Sequence, residues 1–334
     1  MISLFAEAQE ILVLDINVEW WHWALLASWF TFLILFDILV IHRKDHSPTL
    51  KSATIQSLIW IALGVLLGVV IWVYYGSEAG GQYFTGYLIE KSLSIDNVFA
   101  WSVILSFFAV PKKYQHRVLF WGIFGAIFMR IIFVFAGIAL IEKFEPILLL
   151  FGLILLWTGV KLLRTKEKDE FNPASSKMYK ILKKLIPVSH KLDGHKLFTI
   201  EKGKRVATML FMALLVIELT DVVFAVDSVP AILAVSRTPF IIIASVAAAI
   251  LGMRALYFVF DIIKDKFWLL NKALGIMMIY IGIKMSIAPN QLFGRDWFGI
   301  HIETGISLIV IVVLIAGAVV GSLVIKNPYS EPEE

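Results

Sequence analysis

Nine apolar runs close to the length of a bilayer's hydrocarbon core dominate the chain, at 21 to 41, 57 to 75, 83 to 108, 118 to 141, 146 to 163, 205 to 233, 240 to 260, 271 to 288 and 302 to 324. A helix of about 20 apolar residues crosses a membrane. Helices and closed barrels are the structures that satisfy their own backbone polar groups there. Composition argues the same way: 59% of the 334 residues are hydrophobic and 17% charged, where soluble domains average about 45–50% apolar and 25% charged. The expectation is an all-α polytopic membrane protein with nine transmembrane helices. The first 20 residues carry Glu7, Glu10, Asp15 and Glu19 but no Lys or Arg, so the basic region of a signal peptide is missing.

Orientation follows from the basic residues. Alternating the nine spans puts 23 of the 30 Lys and Arg on one side, among them Arg43, Lys44, Lys112, Arg117, Lys264 and Lys326. Lys143, Arg237 and Arg295 fall on the other side, and Lys91, Arg130, Arg254 and Lys284 inside spans. Positive charge stays cytoplasmic, so the N-terminus is expected outside and the C-terminus inside. The net charge of +4 therefore belongs to the membrane and does not point to nucleic acid. Trp20, Trp21 and Trp23 crowd the outer end of the first span, as an interfacial aromatic belt does.

The chain divides into 1–82 with spans one and two, a three-helix unit 83–163, a basic cytoplasmic connection 164–204, a second unit 205–288, and 289–334 with span nine and the tail. In the connection, Met178, Ile181, Leu182 and Leu185 keep helical spacing among lysines. This fits a helix on an anionic lipid surface as well as a solvated basic linker. Leu197 to Ile200 and Arg205 to Thr208, around Glu201-Lys-Gly203, have the pattern of a small hairpin.

The two units repeat each other. Asp96-Asn-Val-Phe-Ala100 matches Asp221-Val-Val-Phe-Ala225 at an offset of 125, and Met129-Arg130 matches Met253-Arg254 at 124. Lys143-Phe144, Gly152, Gly159 and Lys161 match Lys266-Phe267, Gly275, Gly282 and Lys284 at 123. With three spans per unit, the second copy enters from the opposite face. Such inverted repeats, with a polar site at mid-bilayer, recur in secondary transporters.

Ionisable groups inside a membrane are costly and mark function. The third span carries Glu90, Lys91, Ser92, Ser94, Asp96 and Asn97, and the sixth carries Glu218, Thr220, Asp221, Asp227 and Ser228. Asp96, Glu218 and Asp221 are expected near the centre. Glu90 and Asp227 lie six residues outward of Asp96 and Asp221, about 9 Å along a helix and roughly 120° around it. Either two acidic layers serve different sites or the helices are locally unwound. Pro230 removes a backbone donor and frees the Val226 carbonyl beside Asp227, although an ordinary proline kink has the same sequence signature. With Asp37 as a sixth acid, expected hydrated at the cytoplasmic end, six acids stand against Lys91, Arg130, Arg254 and Lys284. Two negative charges are left for a divalent cation or two protons. Arg130 and Arg254, with Lys91, are candidates for charge pairing or gating.

Carboxylate, amide and hydroxyl oxygens are hard ligands that suit Mg²⁺, Ca²⁺ and Mn²⁺. The chain has no Cys, and its seven histidines lie at span ends or in loops, which leaves soft ions without partners and excludes thiolate redox chemistry. No Walker loop, dinucleotide fingerprint or HExxH stands in a usable place, and no resident cofactor or enzymatic activity is expected.

Glu90-Lys-Ser-Leu-Ser-Ile-Asp96-Asn-Val-Phe and Glu218-Leu-Thr-Asp221-Val-Val-Phe-Ala-Val-Asp227-Ser-Val-Pro-Ala resemble the two signature segments of the TerC family of integral membrane proteins, most nearly its Alx-type bacterial members. The likeness runs from about Gly86 to Met285. It implies a multi-pass protein of the bacterial inner membrane concerned with manganese export and homeostasis, the response to alkaline pH and, historically, tellurium resistance. It also implies Mn²⁺ as the transported ion and the acids of both segments as its ligands. The residues alone leave open a Ca²⁺/H⁺ or broader cation exchanger. They also leave open a membrane assembly or metallation factor that docks partners on the basic connection.

Overall fold

The computed structural model describes residues 14–37, 49–144, 146–164, 186–189, 194, 196–201, 203–263, 268–289, 291–292, 295–300 and 302–325. The proposed amphipathic stretch 177–185 lies outside them. The architecture is helical: α1 (Trp20–Phe36), α2 (Leu50–Tyr75), α3 (Ser77–Phe107), α4 (Lys112–Lys143), α5 (Ile147–Arg164), α6 (Met209–Leu233), α7 (Pro239–Leu251), α8 (Met253–Ile263), α9 (Leu270–Ile287) and α10 (Thr304–Val324). Where it is described, each apolar run of the sequence falls mainly on one helix, or, for the seventh, on the α7 and α8 pair. Among the described residues, five helices, α2, α4, α5, α6 and α10, are individually long and apolar enough to cross a bilayer. The pair α7 and α8, bent by 41° at Gly252, makes a sixth. The protein is thus an all-helical polytopic membrane protein.

The sequence explains the ends of these helices. Thr49 caps α2 by accepting the backbone N–H of Ser52 at 3.3 Å, and Gly76 at φ +93° turns the chain directly into α3, a conformation costly for any residue with a Cβ. Glu19 and His22 form a reciprocal cap at the start of α1. Trp20 there is 80% exposed, as an interfacial anchor would be.

Peripheral and central helices differ in what they expose. Leu58, Leu66, Val69 and Val73 of α2 and Ile309, Val313 and Val320 of α10 face outward, a surface suited to lipid rather than water. α7 is buried along almost its whole length. The core joins Ile89, Leu93, Trp101 and Ile104 of α3 to Leu119 and Val134 of α4, Leu155 of α5 and Val216 and Ile217 of α6. Within it α3 packs on α6 and α7, and α4 packs on α6.

The most extensive helix pair is α5 with α9, and glycines make it close. A Cβ on Gly159 would meet the Gly275 carbonyl oxygen at 2.6 Å, and one on Gly282 would meet that of Gly152 at 2.8 Å. Small residues let backbones approach in lipid, where helix association relies on van der Waals packing.

Before α6, the expected hairpin is present. Phe198–Glu201 (β1) pairs antiparallel with Lys204–Ala207 (β2) around Gly203 at φ +75°. The Ser189 N–H donates to the Ala207 carbonyl and the Ala207 N–H donates to that of Pro187, so the 186–189 segment lies alongside β2. A second short hairpin, β3 (Gln291–Leu292) with β4 (Arg295–Asp296), precedes α10.

Candidate ion site

Two helices carry the acids, and each is continuous where local unwinding was one of the expectations. α6 runs through Pro230 to Leu233, so Asp221 and Asp227 stay on a regular helix and face different neighbours. Asp221 turns to α3, where the Trp101 indole donates to its Oδ1 at 3.3 Å. Asp227 turns to α5 and accepts the Thr158 hydroxyl at 2.9 Å. The roughly 120° between them is thereby used for two environments. The irregular span is the seventh instead, broken at Gly252.

Around Asp221 the charges are concentrated. Glu90 of α3, 0% exposed, is ion-paired with Arg130 of α4, 2% exposed. Arg130, Glu218 and Glu90 all act electrostatically on Asp221. The Glu218 carboxylate lies directly over Gly125 of α4, where a Cβ would collide with it. Asp221 thus lies near both Glu218 and the Glu90–Arg130 ion pair. Asp221 is 4% exposed, and its Oδ2 has no hydrogen-bond partner among the described residues, an expensive state for a buried polar atom. The side chain of Asp96, one helical turn and a half from Glu90 on α3, lies outside the described residues.

Beside this cluster is a cavity of about 410 Å³ lined by Asn97, Arg130, Thr158, Lys161, Asp227 and Ser228 together with apolar side chains. Ser228 is buried, and its Oγ has no hydrogen-bond partner among the described residues. Arg130 borders both regions. Other hydroxyls are spent locally: Ser92, Ser94 and Thr220 each donate to the carbonyl four residues earlier, at 2.7 Å.

The remaining intramembrane cations are engaged elsewhere. Lys91 donates to the Ala249 carbonyl at 3.1 Å, and Lys284 donates to Ser307 Oγ at 2.8 Å. Arg254 is ion-paired with Asp37. Asp37, expected to be hydrated alone at the cytoplasmic end, is therefore held by an ion pair with its side chain 13% exposed. Among the described residues, no three His, Asp or Glu side chains form a ready metal cage. Glu90 and Glu218 both act on Asp221, Asn97 and Asp227 line the adjoining cavity, Lys91 acts on its neighbour Glu90, and Arg254 stands apart with Asp37.

Two partners of the acids escaped the sequence reading. Trp101 is fully buried, and a buried indole N–H needs an acceptor, so a tryptophan five residues after Asp96 was the available signal. Thr158 has no comparable mark, since nothing local ties a lone threonine in span five to Asp227.

The helical architecture and the buried carboxylates define an integral membrane protein with a charged interior. Residues 75–328 match the sequence model of the integral membrane protein TerC family, and the chain belongs to that family. It is 39% identical over 302 residues to an uncharacterized membrane protein of Myxococcus xanthus, covering 90% of this chain and 92% of that one. It is 40% identical over 275 residues to a Photorhabdus laumondii protein named Alx, a candidate membrane-bound redox modulator, covering 79% and 85%. The Alx protein of Escherichia coli K12, named in the same way, is 38% identical over 285 residues, covering 83% and 86%. No solved structure matches the chain.

Proposed function

We propose that this protein is a secondary transporter that exports Mn²⁺ across the bacterial inner membrane through the carboxylates of α3 and α6. The observation that carries the reading is Asp221, buried with an unpartnered Oδ2 and acted on by Glu218 beside the Glu90–Arg130 ion pair. Asp221 and Glu218 both lie outside the Glu90–Arg130 ion pair, and one divalent cation would neutralise the two of them. Hard oxygen donors select among Mn²⁺, Mg²⁺ and Ca²⁺ rather than soft metals. Asp221 would ligate through its unpartnered oxygen, with Asp96 and Glu218 completing the central set. Asn97 and Asp227 would serve the cavity as an access station, with Glu90 held by Arg130 until the ion arrives.

The architecture proposed for the cycle is nine spans, N-terminus out, with α3–α5 and α6–α9 as inverted repeats. Contacts obey the sequence offset of 123. Gly152 meets Gly282 while its repeat mate Gly275 meets Gly159, and Leu156 against Gly282 mirrors Ile279 against Gly159. Packing of α4 on α6 is matched by that of α7 on α3. Reciprocal contacts of this kind are what a two-fold axis in the membrane plane produces, and rocking of one unit against the other would expose the site alternately. The absence of an ATPase motif points to a proton gradient or membrane potential as the driving force.

Relatives named for redox modulation favour a second reading, in which the protein acts on a partner docked at the basic connection. With no Cys in the chain, thiol exchange is not its own chemistry. Ion flux into proteoliposomes containing only this protein, run with Mn²⁺, Ca²⁺ and Mg²⁺ and with a pH gradient, separates the readings. Mn²⁺ flux supports export, Ca²⁺ preference supports the exchanger, and no flux with any ion supports the docking role.

A further inference from the structure

The two repeat-related arginines are neutralised differently. Arg130 is paired within its own unit, by Glu90 of α3. The offset of 125 that relates Asp96 to Asp221 takes Glu90 to Leu215, so the second unit has no acid at the equivalent place. Arg254, 5% exposed, is paired instead with Asp37 at the end of α1, a helix outside the 75–328 family match.

That pair sits at the break between α7 and α8. Leu33 of α1 packs with Trp60 of α2 and with Leu251 and Ala255 on either side of the break. A Cβ on Gly252 would lie 2.8 Å from the Trp60 Cβ and 2.9 Å from the Lys91 Nζ, so the break admits no side chain. Lys91 donates to Ala249 in the last turn of α7, where helix carbonyls run out of internal donors and a cation is favoured. The bend is thus held by a cation of the first unit on one side and by Arg254 with Asp37 on the other. A small cavity of about 20 Å³ lined by Ile34, Phe124 and Ile127 adjoins the pair.

We propose that Asp37 is a positioning residue for transport: it supplies to the second unit the counter-charge that Glu90 supplies to the first, and it sets the angle of α8 against α7. The inference rests on the transporter reading above. A part-buried ion pair that can be made or broken is the kind of element that couples an ion site to a rigid-body change. When the pair opens, α8 is free to straighten on α7 about Gly252, and the first helix moves with it.

The test uses the absence of Cys from the chain. With Ile127→Cys as the sole thiol in reconstituted protein, labelling by a water-soluble maleimide reports access to the cavity beside the pair. Asp37→Asn is expected to raise the labelling rate several-fold, to remove its dependence on Mn²⁺, and to lower maximal flux with little change in KM. Asp37→Glu, which keeps the charge, restores all three. If Asp37→Asn reduces only thermal stability or yield, with flux per folded protein and labelling as in the parent, the proposal is overturned. Should Asp37→Asn not fold, Asp37→Asn with Arg254→Met removes both charges together. Wild-type flux and Mn²⁺-dependent labelling in that protein also overturn the proposal. If the parent carries no ion, the transporter reading fails, while a labelling difference between Asp37→Asn and Asp37→Glu still establishes the lock.

Discussion

Gly152 and Gly282 sit backbone against backbone, and a Cβ on either would lie 2.8 Å from the other's carbonyl oxygen. The contact has no slack, so each glycine is a steric requirement of the α5 and α9 pair. Gly159→Ala and Gly282→Ala are expected to lower stability in detergent by about 1–3 kcal/mol each, the usual cost of overpacking. Gly305→Ala on α10, with nothing within 4 Å of the added carbon, is the control and should leave the melting temperature unchanged or slightly raised, since alanine favours helix. Equal stability of Gly159→Ala and Gly305→Ala would show that the pair can separate freely.

Asp221→Asn preserves the shape of the side chain and the Trp101 hydrogen bond through its oxygen while removing the charge. Mn²⁺ flux should be abolished with expression and insertion intact, and Asp96→Asn should do the same. Trp101→Phe keeps the charge but frees the carboxylate to rotate, so a several-fold loss of flux is expected rather than abolition. Asp227→Asn should act more mildly, on apparent affinity. Near-normal Mn²⁺ uptake by vesicles carrying Asp221→Asn would remove that residue from the site.

Arg130 and Glu90 are a buried pair, and losing one partner leaves the other uncompensated. Arg130→Met alone should cost about 3–5 kcal/mol, whereas replacing both members together typically costs far less. The double variant Glu90→Gln with Arg130→Met is therefore expected to be more stable than Arg130→Met in thermal unfolding. Additive losses would mean that the two groups do not depend on one another.

Much of this was legible in the sequence because lipid imposes a long, regular pattern. Where described, the apolar runs fall mainly on helices, and the hairpin around Gly203 follows from strand-like residues flanking a glycine. What escaped was the pairing of distant charges. Asp37 and Arg254 are 217 residues apart, and hydropathy describes depth and not azimuth, so an acid near a span end looks hydrated whether or not a neighbour faces it. The break in span seven escaped for a related reason. Pro230 announces irregularity and is absorbed by α6, while Gly252 is forced by the approach of Trp60 and Lys91 from other helices. The Thr158 contact with Asp227 was likewise set by packing alone.

Metal binding should release protons. Every charge offered to the ion comes from a carboxylate, and a carboxylate ligates only when deprotonated, so Mn²⁺ and H⁺ compete for the same oxygens. Linkage fixes the sign: binding favours the deprotonated form, hence affinity falls as pH falls. Over the range where a ligand is protonated in the metal-free protein, each displaced proton lowers apparent affinity by about tenfold per pH unit. Calorimetry in buffers of different ionisation enthalpy measures the protons released, and Asp221→Asn should reduce their number. Mn²⁺ binding without proton release at any pH from about 5 to 8 would eliminate proton coupling through these acids. Membrane potential or the ion gradient itself would then have to drive transport.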